Sequence, residues 1–211
     1  MKETRVSFLS SELLLEGILA TPRGDGPFPA AIVCHPHPLY GGSMDNNVVR
    51  GLVEALTQAS FVALKFNFRG VGGSQGEFGQ GIGEQADVEA AISFVSKLEE
   101  VDPQRMGLAG YSAGAGFAFP VGFDDTRIKA LAAVSPPLNM FSFDFLQGCP
   151  KPRFLISGSR DDFTTAAEFL EFCQNLAEPR QCEMIEGADH FWLGYESHLA
   201  AKVTAFFVKV L

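Results

Sequence analysis

The sequence predicts an α/β fold: a mostly parallel sheet with an antiparallel N-terminal edge and helices on both faces. Three observations predict it. Short, near-continuous apolar runs recur along the chain, as strands buried on both faces require. Helical stretches separate these runs, which produces repeated βα units. The first two strand candidates instead flank a short polar turn, as an antiparallel hairpin does. At 211 residues, 46% apolar and 19% charged, the chain suits one folded domain over 1–211. It carries no internal repeat and no low-complexity linker.

In chain order, Val6 to Phe8 and Leu13 to Ala20 flank Ser10-Ser11 and form the hairpin. The parallel strands are expected at Ala30 to Cys34, Phe61 to Phe66, Met106 to Ala109, Ala130 to Val134 and Phe154 to Ser157, with a last strand near Cys182 to Glu186. Helices are expected at Asn47 to Ala59, Gly83 to Glu99, Ser112 to Phe119, Thr164 to Leu176 and Tyr195 to Val210. In the second of these, Ala86, Ala90, Ile92, Phe94, Val95 and Leu98 favour one side, and Asp102-Pro103 marks its end.

Composition excludes several function classes. A net charge of −9 without any run of Lys or Arg lacks the basic footprint that a phosphate backbone needs, so no nucleic-acid partner is expected. No segment approaches the roughly 20 apolar residues that span a bilayer. Leu13-Leu14-Leu15 is followed at once by Glu16, too short for a secretory leader. No membrane partner is expected, and the location expected is cytoplasmic. Cys34, Cys149, Cys173 and Cys182 form no C-x-x-C pair and read as reduced, buried small hydrophobes.

The chemistry lies in a serine. G-x-S-x-G occurs twice, at Gly110 to Gly114 and at Gly72 to Gly76. The pattern has meaning where a strand runs straight into a helix, because the tight turn between them exposes the serine oxygen. Met106 to Gly110 is a strand and Ala113 to Phe119 opens a helix, so Ser112 meets the condition. Its rival reading is an ordinary helix N-cap. Ser74 is followed by Glu77-Phe78-Gly79-Gln80-Gly81, which reads as a glycine-rich surface turn.

A serine hydroxyl is a weak nucleophile until a base takes its proton, and the base needs an orienting acid. On a sheet of this kind the chain order is serine, acid, histidine. Only His190 and His198 lie downstream. His190 follows the last strand in a loop, whereas His198 falls in the terminal helix, so His190 is the base expected. Asp161 and Asp162 both follow the strand Phe154 to Ser157 and both qualify as the acid. Asp189, adjacent to His190, cannot easily fold back onto its ring.

Acyl transfer also needs donors for the tetrahedral oxygen. One is the N–H of Ala113, the residue after the serine. The other belongs to the loop His35-Pro36-His37-Pro38-Leu39-Tyr40. Pro36 and Pro38 have no N–H, so the first free amide past the strand is that of His37, with Leu39 and Tyr40 as alternatives. A metal reading of His35-x-His37 lacks a third histidine or carboxylate nearby, and no metal or organic cofactor is expected.

The run His35-Pro36-His37-Pro38 with Gly41-Gly42-Ser43-Met44-Asp45-Asn46, and the run Phe66-Asn67-Phe68-Arg69-Gly70-Val71-Gly72-Gly73-Ser74, resemble the small dienelactone-hydrolase-like members of the α/β-hydrolase superfamily. The resemblance runs from about Ala30 to Trp192. It implies the α/β-hydrolase fold and a triad of Ser112, Asp161 and His190, since the family's G-x-x-D matches Gly158-Ser159-Arg160-Asp161. It also implies that the Arg69 loop edges the pocket. Dienelactone hydrolases proper carry a cysteine nucleophile; serine here favours esterase chemistry. Ser135 to Pro152 leaves room for a short helix such as Met140 to Gln147, so a minimal lid or none is expected. Phe141, Phe143 and Phe145 are then pocket walls or core.

The function expected is a serine hydrolase cleaving small carboxylic esters of short acyl chain through an acyl-enzyme on Ser112. Thioesterase or amidase chemistry by the same triad is one alternative. A non-catalytic binding protein on a hydrolase scaffold is another.

Overall fold

The computed structural model describes all residues, 1–211. The elements follow in the order β1 (Lys2–Ser10), β2 (Leu13–Thr21), β3 (Phe28–Cys34), α1 (Asn47–Gln58), β4 (Val62–Phe66), α2 (Ile82–Val95), β5 (Val101–Tyr111), α3 (Ala113–Asp124), β6 (Ile128–Val134), β7 (Arg153–Arg160), α4 (Ala166–Asn175), β8 (Arg180–Asp189) and α5 (Glu196–Val210). All eight strands join one sheet in the order β1-β2-β4-β3-β5-β6-β7-β8. β1 pairs with β2 antiparallel, β2 pairs with β4 antiparallel, and every later pairing is parallel.

The parallel strands are buried on both faces because their side chains alternate between two cores. Ala30, Ile32 and Cys34 of β3 face the core shared with α2, α3 and α4. Ala31 and Val33 face the other core, against α1 and α5. The chain leaves β3 toward β4 on one side, and β5 lies on the other. The loops after β3 and β5 therefore diverge at the carboxyl edge of the sheet and open a crevice there.

Four local expectations are corrected. The second helix stops at Val95, and Asp102-Pro103 already belong to β5. Its buried residues are Glu84, Asp87, Val88, Ala91, Ile92 and Val95; Ile92 and Val95 lie on the expected apolar side, and Ala90, Phe94 and Leu98 also pack against the core. The addition to that side is two buried carboxylates. Asp87 takes the Arg69 guanidinium at 2.7 Å, and Glu84 accepts the N–H groups of Gly79 and Gly81 at 2.8 and 2.7 Å. Apolar counting scores both positions as solvent-facing.

The helix after Ser112 continues through Pro120 to Asp124; burial of Phe117, Phe119 and Val121 overrides a poor helix former. Between β6 and β7 there is no α-helix, only a 3-10 turn at Asp144–Gly148, so no lid covers the carboxyl edge. Cys173 of α4 and Cys182 of β8 are joined as a disulfide, while Cys34 and Cys149 are free and buried. The turn between α4 and β8 folds the chain back and brings together two cysteines that no sequence motif links.

Candidate active site

Ser112 stands between β5 and α3 with φ 53° and ψ −126°, a left-handed region that costs a non-glycine residue about 1–3 kcal/mol. Packing holds it there. Its N–H donates to Val134 O of β6 at 2.8 Å. The flanking glycines allow the close approach: a Cβ on Gly110 would overlap the Ala115 backbone, and one on Gly114 would overlap the carbonyls of Cys34 and His35. The first turn of α3 thus lies directly on the end of β3.

His190 Nε2 is 3.0 Å from Ser112 Oγ. On the far side of the ring, Nδ1 is 3.0 and 2.9 Å from Asp161 Oδ1 and Oδ2. An ionised carboxylate only accepts, so Nδ1 carries the proton and Nε2 is left to accept from the serine hydroxyl. Burial pushes the Asp161 pKa up. The hydrogen bond and charge of His190, with hydrogen bonds from Ser135 and the Phe163 N–H, outweigh it and hold the carboxyl below its ordinary value. Asp161 is buried, whereas Asp162 is exposed, which separates the two candidates left open by composition.

The turn that carries His190 is braced from three directions. Asp189 does not orient the ring; its Oδ1 accepts the N–H groups of Phe191 and Trp192 at 3.0 and 2.9 Å. Tyr111, buried at the end of β5, donates its hydroxyl to His190 O at 2.8 Å. Trp192 donates Nε1–H to Ser135 Oγ at 3.0 Å. Trp192 and Ser135 both have positive φ, 60° and 46°. The spacing of the motifs flagged none of Tyr111, Trp192 or Ser135. The one available signal was that a Tyr or Trp buried in a core needs a polar partner. His198 is exposed on α5.

The loop after β3 separates the candidate donors. Leu39 N–H is used on His37 Nδ1 at 3.2 Å, and Tyr40 N–H on His37 O at 3.1 Å. The His37 N–H takes part in none of the loop, turn and cap bonds. Ala113, as the first residue of α3, has no intrahelical acceptor for its own N–H. His35 is structural: Nδ1 lies 2.6 Å from Pro36 O, and Nε2 accepts the Phe68 N–H at 3.1 Å. With both nitrogens engaged, it offers no lone pair to a metal.

Ser74 lies in a loop, as expected, but it is buried rather than at the surface. Its hydroxyl donates to Asn67 O at 2.6 Å and accepts the Glu16 N–H at 3.0 Å. The Arg69 loop reaches His37 through Phe78, whose ring centroid is 4.9 Å away. Arg69 itself turns to Asp87 and Ser10. Of the three phenylalanines after β6, Phe143 is buried in the core and Phe145 packs on Phe123. Phe141 instead lies over Gly116 of α3 and 5.3 Å from Phe117. A cavity of about 780 Å³ lies elsewhere, lined mainly by residues of α1 and α5, with Met1, Glu3 and Lys65. Ser112, His190 and Asp161 are themselves buried, at 9%, 6% and 4% exposure.

Residues 32–200 match the family described as an alpha/beta hydrolase domain. An uncharacterized protein of Rickettsia prowazekii is 36% identical over 174 residues, which are 78% of this chain and 72% of that protein. The chain spans a shorter share, 56%, of two further curated relatives from Escherichia coli. Among solved structures, an alpha-beta serine hydrolase homologue from Coxiella burnetii is 30% identical with a TM-score of 0.86, covering 100% of this chain and 98% of that one. A serine hydrolase without a lid from Xanthomonas campestris is 25% identical with a TM-score of 0.86, covering 100% and 96%. No helix is long and apolar enough to cross a membrane. The matched family, the sheet order and the strained serine between β5 and α3 agree: this chain belongs to the α/β-hydrolase family.

Proposed function

We propose that the protein is a carboxylesterase-like serine hydrolase that cleaves small carboxylic esters through an acyl-enzyme on Ser112. The observation that carries this reading is the unbroken line of contacts from Asp161 through His190 to Ser112, at 2.9 and 3.0 Å. Those distances are within reach for proton transfer.

Ser112 Oγ attacks the acyl carbon while His190 Nε2 takes its proton. The imidazolium that forms is stabilised by the ionised Asp161, which also fixes the ring tautomer. The carbonyl electron pair moves to oxygen, and the amides of His37 and Ala113 receive that charge. They cost no reorganisation because they are already unpaired. The dipole of α3 points the same way. As the tetrahedral species collapses, His190 returns the proton to the leaving alcohol. Water then attacks the acyl carbon and gives a proton to His190; the bond between that carbon and Ser112 Oγ breaks, Oγ takes the proton back from His190, and the acid leaves. No metal or organic cofactor takes part in this scheme. A serine nucleophile, where dienelactone hydrolases carry cysteine, suits oxygen esters.

A fluorophosphonate probe tests the reading. The wild-type protein should be labelled covalently at one site, and Ser112→Ala should abolish both labelling and hydrolysis of p-nitrophenyl acetate. Labelling that persists in Ser112→Ala would overturn it.

A further inference from the structure

The alcohol half of an ester has a defined place if His190 is its proton donor. When the tetrahedral species collapses, the bond between the acyl carbon and the ester oxygen breaks and its electron pair stays on that oxygen. The oxygen then takes the proton from His190 Nε2, so it must lie within hydrogen-bond reach of that atom. Whatever the alcohol carries therefore lies beside the His190 ring.

Two aromatic side chains flank the His190 ring, and both are open to solvent. The Phe163 ring centroid is 4.3 Å from that of His190, with 36° between the planes, and Phe163 is 41% exposed. Phe191 stands edge-on to His190 at 5.7 Å and is 56% exposed. Their backbones are held in place. Phe163 N–H donates to Asp161 Oδ1 at 2.9 Å. Phe191 N–H donates to Asp189, and Phe191 O accepts from Asn47 Nδ2 at 3.1 Å. Large apolar side chains left exposed on a held backbone beside the His190 ring form a ready contact surface for an apolar group.

We propose that Phe163, supported by Phe191, forms the leaving-group subsite and selects esters of bulky apolar alcohols, aromatic ones above all. The proposal rests on the reading of Ser112 and His190 given above. A planar aryl group gains from offset stacking on Phe163, and a short alkyl alcohol reaches little of it.

The test compares benzyl acetate with ethyl acetate, which share an acyl group and have alcohols of similar acidity. Wild-type kcat/KM should favour the benzyl ester by at least about tenfold, and Phe163→Ala should reduce that ratio by about tenfold. Phe163→Leu, which keeps apolar bulk without the ring, should fall between. Leu170→Ala, at an exposed position on α4, should keep the wild-type ratio. A wild-type ratio within twofold of one sinks the proposal. So does a Phe163→Ala variant that slows both esters equally, because the ring would then only steady His190. If Ser112→Ala cleaves both esters at the wild-type rate, the triad reading falls and this proposal falls with it. A Ser112-dependent rate with an unchanged ratio removes the subsite alone.

Discussion

The His35 ring is held neutral by its neighbours. Nε2 accepts the Phe68 N–H, and a proton there would set two donors against each other. Burial lowers the pKa from 6.5 to about 4, against the opposing pull of Pro36 O. The unfolded chain therefore binds a proton between these two values where the folded chain does not. The stabilisation is complete above about 6.5 and is lost as pH falls toward 4. Roughly 2 to 3 kcal/mol of unfolding free energy should disappear between pH 7 and pH 4.5. Urea melts at the two pH values check this, since His35→Gln keeps an acceptor for Phe68 and should show a difference smaller by that amount. An equal difference in both proteins would assign the acid sensitivity to other groups. His37, three-ring neighbour to Tyr40, Phe78 and Phe117, is likewise held below its ordinary pKa by burial, with Glu84 opposing. The residue beside the proposed oxyanion site thus adds no positive charge at neutral pH.

At the scale of elements, the site depends on how closely α3 meets β3. Gly114 faces the carbonyls of Cys34 and His35 with no room for a Cβ, so Gly114→Ala must push helix and strand apart. We expect a loss of about 1–3 kcal/mol in stability together with a fall in kcat for the proposed ester hydrolysis, because the Ala113 and His37 amides proposed to hold the oxyanion separate. Gly148→Ala, at a position with nothing within 4 Å of the added carbon, should be neutral in both measurements. Chemical denaturation and steady-state rates on the pair provide the check; a neutral Gly114→Ala would refute the close-contact argument. Strand and helix existence was legible at this scale from apolar runs and periodicity. The first turns of the buried face of α2 were not, because they carry Glu84 and Asp87. Their partners, Gly79, Gly81 and Arg69, come from a loop whose path no pattern encodes.

Across the whole molecule, the short connection between β6 and β7 carries no lid helix, so under the proposed function no helix has to move before an ester reaches Ser112. Rate against substrate concentration should then rise hyperbolically through the solubility limit of a sparingly soluble ester. A jump in rate at that limit would indicate a surface-activated step that this architecture does not provide. The connection's length was readable in advance. The expected helix Met140 to Gln147 shrank to a 3-10 turn because Phe141 and Phe143 are drawn onto α3 and the core.

By itself the sequence determined the class of fold, the strand that ends in Ser112, and the order of serine, acid and histidine. Each of these is written in local patterns: the apolar period, the glycines of a tight turn, and residue type after a strand. The family motif already favoured Asp161 over Asp162; only the tertiary structure showed that Asp161 is the one buried against His190, that the Leu39 and Tyr40 amides are bonded within their own loop, and that Phe141 lies over Gly116. It alone brought Cys173 to Cys182 and set Tyr111, Trp192 and Phe163 around His190. Those outcomes depend on which side chains meet across separate loops. Neighbouring residues of one loop share the same local chemistry, and only their three-dimensional partners tell them apart.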